Sequence, residues 1–295
     1  MHNTVGIVLL TTVVILSNQE QVLEPECGAR YISNDVEAKR IVGGQISSPG
    51  AWPWQVALLQ NNTQTCGGSL VSPEWVVSAS HCFVGSGLSK NPNHWTVTLG
   101  EHHLKNEDWF EQAREVKAIY LHPQYKNSAN KVSDNKLKSI PPDYDVAVLH
   151  LKTPAILDNF VFPICLLPPG FKFPVGKECY VSGWGHTQWR GPKPDILREA
   201  RVKLVHPDKC NSEESYNGAI HNRALCAGFE KGGVDACQYD SGGPLACEEE
   251  GLWYLTGVVS WGHKCGDPHK YGVYADMEVM TDWVREVISQ AESTN

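Results

Sequence analysis

Short apolar runs recur along most of the chain, and they are separated by Gly, Pro, Asn and Asp, which favour turns. The runs that we interpret as strands are 55–59, 68–71, 75–79, 96–99, 116–120, 146–151, 179–184, 200–204 and 253–259. Many short strands at this spacing are typical of β-sandwiches and β-barrels.

The C-terminal end departs from this pattern. Its apolar side chains recur at helical spacing, at Val279, Met280, Trp283, Val284, Val287 and Ile288. We therefore predict an amphipathic helix over about 278–290 that docks its apolar stripe on the last strands.

An apolar run from Val5 to Leu16 lies near the N-terminus. It is too short to span a bilayer and fits the central region of a signal peptide, so we predict a signal peptide over 1–20 with an approximate cleavage site. A buried or signal-anchor segment is the alternative. Neither reading depends on the rest of the chain.

The composition agrees with an extracellular protein. Ten cysteines fit an oxidising compartment, although they can pair in many ways. A net charge of −8 gives no reason to expect nucleic acid or an anionic membrane as a partner. We expect a secreted, extracellular protein.

Three short motifs carry candidate chemistry. Ser241 stands in a glycine loop that reads Asp240-Ser241-Gly242-Gly243-Pro244, His81 follows a predicted strand, and Asp145 begins a buried one. A serine hydroxyl becomes nucleophilic when a base removes its proton, histidine titrates in the required range, and a carboxylate can fix the tautomer of that histidine. Alone, each motif could be structural, and the glycine loop could be a surface turn.

Together these motifs resemble those of a trypsin-like serine protease of the chymotrypsin family. The segments that carry the resemblance are Ile41-Val42-Gly43-Gly44, Ala79-Ser80-His81-Cys82, Asp145-Val146-Ala147-Val148-Leu149, Gly183-Trp184-Gly185, Asp240-Ser241-Gly242-Gly243-Pro244 and Ser260-Trp261-Gly262. The resemblance implies an all-β fold of two six-stranded antiparallel barrels, about 41–153 and 154–276, with the site between them and a C-terminal helix. Residues 21–40 would form an activation segment, and 41–295 the protease domain.

The resemblance also assigns roles at the site. His81 would be the general base, Asp145 would orient it, and Ser241 would attack the substrate carbonyl, while the N–H groups of Tyr239 and Ser241 would form the oxyanion hole. Hydrolysis of peptide bonds would proceed through an acyl-enzyme, with no cofactor required.

Activation is implied as well. Cleavage after Arg40 would free the amine of Ile41, which would pair with Asp240 and order the oxyanion loop. The chain as written would therefore be an inactive zymogen, and an activating protease and protein inhibitors are expected partners.

Specificity for Arg or Lys follows from the resemblance, because Asp235 would lie at the base of the substrate pocket and bind a cationic side chain. The remaining pocket residues would be Ser260, Trp261, Gly262 and Gly272. Protein or peptide substrates with Arg or Lys are thus expected.

The resemblance pairs all ten cysteines. The implied disulfides are Cys27–Cys165, Cys66–Cys82, Cys179–Cys247, Cys210–Cys226 and Cys237–Cys265. The first would tether the activation segment after cleavage.

Tyr239 departs from the family, which usually has glycine at this position. A bulky residue at positive φ costs on the order of 1–2 kcal/mol. We expect an enzyme that is weaker than a digestive trypsin and whose tyrosine ring hinders rigid protein inhibitors. The alternative is a pseudo-protease that serves as a binding module.

Several further features leave alternatives open. Glu101, Asp108 and Glu111 match the spacing of the family's calcium loop, but they would equally fit a solvated acidic loop. Tyr271 stands where tyrosine accompanies a sodium-binding loop in some clotting relatives, and simple packing is the other reading. Asn61 begins a glycosylation sequon in a predicted loop.

Three histidines have no second metal-type partner at useful spacing. We predict that they are surface residues and not a zinc site: His102, His103 and His263.

Overall fold

The computed structural model describes residues 26–33, 44–128, 140–233 and 236–294. The predicted signal peptide, most of the predicted activation segment, the activation site at Arg40 and Ile41, and the pocket residue Asp235 lie outside the described residues.

Strands dominate the described residues. In chain order they are β1 (Gln45–Ile46), β2 (Gln55–Gln60), β3 (Thr63–Ser72), β4 (Trp75–Ser78), β5 (Trp95–Leu99), β6 (Gln112–Leu121), β7 (Lys126–Ser128), β8 (Ile140–Asp143), β9 (Ala147–Leu151), β10 (Cys165–Leu166), β11 (Glu178–Gly183), β12 (Arg198–Val205), β13 (Ala224–Ala227), β14 (Pro244–Glu249), β15 (Leu252–Trp261) and β16 (Gly272–Asp276). The α-helices are α1 (Pro207–Cys210) and α2 (Met277–Glu292).

The first six-stranded barrel closes in the order β2-β3-β4-β9-β6-β5, with antiparallel neighbours. Asn61 and Asn62 join β2 to β3, and their φ angles are 50° and 63°. A two-residue hairpin of type I′ needs positive φ at both positions, and asparagine tolerates it better than most residues. The turn thus fixes the register in which Gln60 faces Thr63.

The second barrel runs β12-β11-β14-β15-β16-β13, and pairing of β12 with β13 closes it. Its neighbours are also antiparallel. The predicted all-β fold of two six-stranded antiparallel barrels is therefore confirmed.

Helix α2 confirms the predicted C-terminal helix and extends it at both ends. The Asp276 carboxylate caps it by accepting a hydrogen bond from Glu278 N at 3.0 Å. Met280 and Val284 are fully buried, and Trp283, Val287 and Ile288 pack against the core at its edge. The apolar stripe is thus what holds the helix on the barrels.

Five disulfides use all ten cysteines in the pairs that the resemblance implies. The Cys27–Cys165 bond joins residues that are 138 positions apart, and it ties the described segment 26–33 to the rest of the protein.

The two barrels approach each other closely at a pair of glycines. A Cβ atom on Gly67 of β3 would come within 3.1 Å of the Gly243 Cα. The absence of side chains allows Gly67 N to donate a hydrogen bond to the Ser241 carbonyl oxygen at 2.8 Å. A second contact joins the barrels where the Ser182 hydroxyl donates to Gln55 Oε1 at 2.6 Å.

Candidate active site

Two adjacent strand ends of the first barrel bring His81 and Asp145 together. Strands β4 and β9 are antiparallel neighbours, and Ser78 at the end of β4 faces Ala147 at the start of β9. His81 follows β4 in a short 3₁₀ turn, and Asp145 lies two residues before β9. The pairing therefore places residues that are 64 positions apart side by side.

The Asp145 carboxylate holds the His81 residue by two bonds. The His81 backbone N–H donates to Oδ1 at 2.9 Å, and Nδ1 lies 2.7 Å from Oδ2. Burial alone would lower the pKa of His81, but the charge and hydrogen bond of Asp145 outweigh burial, and the net effect is a raised pKa. The imidazole is thus both oriented and made more basic.

Ser260 of the second barrel completes the binding of this carboxylate. Its hydroxyl donates to Asp145 Oδ2 at 2.5 Å. We predicted Ser260 only as a wall of the substrate pocket, which it also lines. Sequence reasoning missed its contact with Asp145, because the two residues lie 115 positions apart on different barrels.

Ser241 lies in the loop that leads into β14, on the other side of the interface between the barrels. Its carbonyl oxygen accepts from Gly67 N and lies 3.7 Å from the Cys82 sulfur, next to His81 in the chain. No hydrogen bond joins its hydroxyl to the His81 ring among the described contacts. Such bonds are often long before a substrate is present, so the missing bond does not exclude proton transfer from Ser241 to His81.

Two backbone N–H groups of this loop have no hydrogen-bond acceptor among the described residues. They belong to Tyr239 and Ser241, whereas Asp240 N between them donates to the Cys237 carbonyl at 3.0 Å. Tyr239 adopts a φ of 78°, the left-handed conformation for which glycine would be less strained. Unpaired backbone donors at such a position are available to a negatively charged ligand atom.

A pocket of about 130 Å³ opens beside Ser241. Its lining includes the predicted Ser260, Trp261 and Gly262, together with Val273. Gly272, which precedes Val273 in β16 and pairs with Ala227, stays a prediction as a pocket residue.

The pocket also has lining residues that we did not predict, among them Trp189 and Lys264. Asp235 itself lies outside the described residues, but the next residue, Ala236, lines the pocket. A larger cavity of about 350 Å³ lies by β12, β13 and the start of α2, and it contains none of these site residues.

The carboxylate of Asp240, which stands between Tyr239 and Ser241 in the chain, is buried. It accepts from Gly185 N at 2.7 Å and from Cys237 N at 2.9 Å. Cβ atoms on Gly183 and Gly185 would collide with the carboxylate, so both glycines are needed for its approach. Burial raises the pKa of Asp240 to about 6, although both hydrogen bonds and the charge of Lys193 act in the opposite direction.

The acidic loop holds its carboxylates close together. Burial, followed by the charges of Glu111 and Asp108, raises the pKa of Glu101 to about 8. Asp108 is already paired with His103 Nδ1 at 2.9 Å. Among the described residues, the one set of three metal-type ligand atoms within 4.8 Å of one another belongs to Cys66, His81 and Cys82, and a disulfide occupies both sulfurs.

The remaining predicted positions differ in their exposure to solvent. Asn61 is exposed at the β2–β3 turn. Tyr271 is buried in a small cluster around the Cys210–Cys226 disulfide, and its carbonyl accepts from the Tyr216 hydroxyl at 2.6 Å. His102, which we predicted at the surface, is only 4% exposed, so that prediction is wrong.

Comparisons with known proteins agree with this geometry. A family model described as Trypsin matches residues 41–284. Transmembrane protease serine 11C of Mus musculus is 38% identical over 266 residues, which cover 90% of this chain and 57% of that protein. Transmembrane protease serine 5 of Homo sapiens is 40% identical over 264 residues, which cover 88% of this chain and 53% of that protein.

The chain thus spans a little over half the length of these curated relatives. Within the described residues, none of the helices has the length and apolar character needed to cross a bilayer.

The buried Asp240 predicts a pH dependence of stability in the uncleaved protein. Since its folded-state pKa of about 6 exceeds its ordinary value of 3.8, its contribution is fully present below about pH 4 and is lost as pH rises through 6. The loss amounts to about 3 kcal/mol at 1.36 kcal/mol per pKa unit. We expect the free energy of unfolding in guanidinium to fall less for Asp240→Asn than for the native protein as the pH rises from 4 to 7. The difference between the two proteins should change by up to that amount.

Asp282→Asn serves as the control, because this carboxylate is exposed on α2. If the difference in unfolding free energy between Asp240→Asn and the native protein instead stays constant over this pH range, that result would contradict a raised pKa for the buried Asp240 carboxyl.

Proposed function

The chain belongs to the trypsin family of serine proteases, and we propose that it is a secreted endopeptidase that cleaves peptide bonds after Arg or Lys. The observation that carries this proposal is the His81–Asp145 pair at the interface between the barrels, facing the loop that bears Ser241. All the groups that the chemistry requires are present there.

The proposed reaction follows the mechanism established for the family. His81 Nε2 removes the proton of the Ser241 hydroxyl as the oxygen attacks the substrate carbonyl, and Asp145 holds Nδ1–H. The negatively charged oxygen binds the N–H groups of Tyr239 and Ser241, and losing one such donor typically costs about 3–4 kcal/mol. His81 then gives the proton to the leaving amine, and water hydrolyses the acyl-enzyme.

Asp235 would confer the preference for Arg or Lys. The chain enters the substrate pocket at Ala236, directly after this residue, which supports a carboxylate near the pocket. A carboxylate in a confined pocket binds a guanidinium or ammonium by charge-assisted hydrogen bonds. A neutral side chain would leave that charge unpaired, at a cost of several kcal/mol.

Activation by cleavage after Arg40 is supported by the position of the segment that follows. Strand β1 pairs with β12, and the Gly44 carbonyl accepts from Arg198 at 2.8 Å. Arg198 and Asp240 both line a small cavity of about 30 Å³. Ile41 lies three positions before Gly44, which corresponds to at most about 11 Å of extended chain. The proposed partner of a new amine at Ile41 is the buried Asp240 carboxylate beside this cavity.

Secretion is supported by the use of all ten cysteines in disulfides, which are typical of oxidising compartments. The predicted signal peptide over 1–20 would direct it there. We further propose that Asn61 is glycosylated, since its side chain is exposed at a hairpin turn. An activating protease and protein inhibitors are the proposed partners besides substrates.

The alternative function is that of a pseudo-protease that binds other proteins, and Tyr239 is the feature that favours it. The strained φ of Tyr239 does not remove the oxyanion donors, because neither its N–H nor that of Ser241 is taken by a described acceptor. The intact His81–Asp145 pair also favours an enzyme.

The decisive experiment replaces residues 36–40 by the recognition sequence of a protease that cuts directly after it, so that Ile41 becomes N-terminal. The cleaved protein should hydrolyse peptides with Arg before the scissile bond at least about a hundredfold faster than matched peptides with Leu. Ser241→Ala, cleaved in the same way, is the matched control and should be inactive. N-terminal sequencing should first confirm that cleavage has produced the Ile41 terminus. If the cleaved protein then hydrolyses no peptide, the result would support the binding module.

We also propose a structural Ca²⁺ at Glu101, Asp108 and Glu111. Hard carboxylate oxygens suit this ion, and a bound cation would relieve the repulsion that helps to raise the pKa of Glu101. Calcium at millimolar concentration should raise the melting temperature by a few degrees relative to a chelator.

Glu101→Gln should abolish most of this shift, and Mg²⁺ at the same concentration is the control. Equal melting temperatures with calcium and with the chelator would rule out this site.

A further inference from the structure

A lysine side chain lies against the oxyanion loop outside the substrate pocket. Lys193 Nζ sits 4.6 Å from the centre of the Tyr239 ring, and it donates a hydrogen bond to the Gln64 carbonyl at 2.9 Å. A cation at this distance from an aromatic face is attracted to it. The ammonium is therefore held against Tyr239, which lies two residues before Ser241 in the chain.

Tyr239 is itself fixed on both sides. Its carbonyl accepts from Gln64 Nε2 at 3.2 Å, and its ring lies 5.1 Å from the ring of His186. The Gln64 side chain is buried, whereas Tyr239 is 41% exposed. These contacts join four residues into one cluster with a face open to solvent, which we call the Lys193 ledge: Gln64, His186, Lys193 and Tyr239.

The positive charge of the Lys193 ledge is not neutralised locally. No carboxylate oxygen of the described residues forms an ion pair with Lys193 within 4.0 Å. Asp240 acts on it at longer range, but its oxygens accept from Gly185 N and Cys237 N. Because partial burial strips water from the ammonium, the arrival of a counter-charge would be more favourable than at a fully solvated lysine.

The Lys193 ledge lies outside the pocket, next to the chain segment that carries Ser241. The pocket residues include Ala236, Cys237 and Ser260, and none of the four ledge residues lines it. In an endopeptidase the side chain before the scissile bond fills the pocket, so the segment after that bond leaves on the opposite side. The ledge is therefore positioned beside the residues that follow the scissile bond.

We propose that Lys193 selects substrates with Asp or Glu at one of the first two positions after the scissile bond. The inference rests on the proposed endopeptidase function and narrows its substrate class. A carboxylate there would gain a charge-assisted hydrogen bond from the two donor positions that Lys193 has not committed to Gln64. Tyr239 and Gln64 are the positioning residues of this contact.

The test uses the activated enzyme and peptide pairs with Arg before the scissile bond. Within each pair, Glu replaces Gln at the first or the second position after that bond. The Glu peptide should have a kcat/KM about fivefold higher at one of these positions, which is about 1 kcal/mol at 1.36 kcal/mol per tenfold. The ratio should fall towards 1 as salt increases, because the contact lies at the surface.

Two variants and a control test whether Lys193 causes the difference in kcat/KM between the Glu and Gln peptides. Lys193→Met keeps the length of the side chain and should bring the Glu/Gln ratio to about 1, and Lys193→Glu should invert it. Lys105→Met removes an exposed lysine elsewhere and should leave the ratio at about five. Using a ratio for each enzyme cancels any general effect of a substitution on folding or turnover.

The outcomes separate this inference from the proposed function. Rapid hydrolysis after Arg with equal rates for Glu and Gln at both positions overturns the role of Lys193 alone. An acidic preference that survives in Lys193→Met also overturns it. Hydrolysis of none of the peptides overturns the endopeptidase, and this inference with it.

Discussion

The buried carboxylate of Asp145 is the group on which the site depends. A buried charge is costly unless hydrogen bonds compensate it, and Asp145 receives three, from His81 N, His81 Nδ1 and the Ser260 hydroxyl. Two of these donors come from the first barrel and one from the second. The same contacts that stabilise the charge therefore hold the histidine in one orientation and join the barrels beside the pocket that Ser260 lines.

A second buried carboxylate, Asp240, governs the loop on the other side of the interface. It is held by backbone N–H groups alone, and burial keeps its pKa high. A cationic partner would remove that energetic cost, which gives a physical reason for the proposed activation by a new amine. The strained Tyr239 is retained in this loop because Gln64 and His186 hold its carbonyl and its ring from outside.

Local patterns predicted the features that depend on nearby residues. The alternation of apolar runs with turn residues located nine strands, and helical spacing located α2. The pattern missed the other strands. Four of them have only two to four residues, namely β1, β7, β8 and β10. The others, β13, β14 and β16, are rich in small residues and are held by pairing with distant neighbours.

Motif resemblance supplied His81, Asp145 and Ser241, but not the contacts between barrels. The Ser260–Asp145 bond and the contact of Lys193 with Gln64 join residues 115 and 129 positions apart, and no local signal encodes them.

The most direct test of the central role of Asp145 is an NMR titration of His81 in the cleaved protein and in its Asp145→Asn variant. Because the carboxylate raises the pKa of His81 against the effect of burial, the pKa should be lower in the variant. An unchanged pKa would contradict the account.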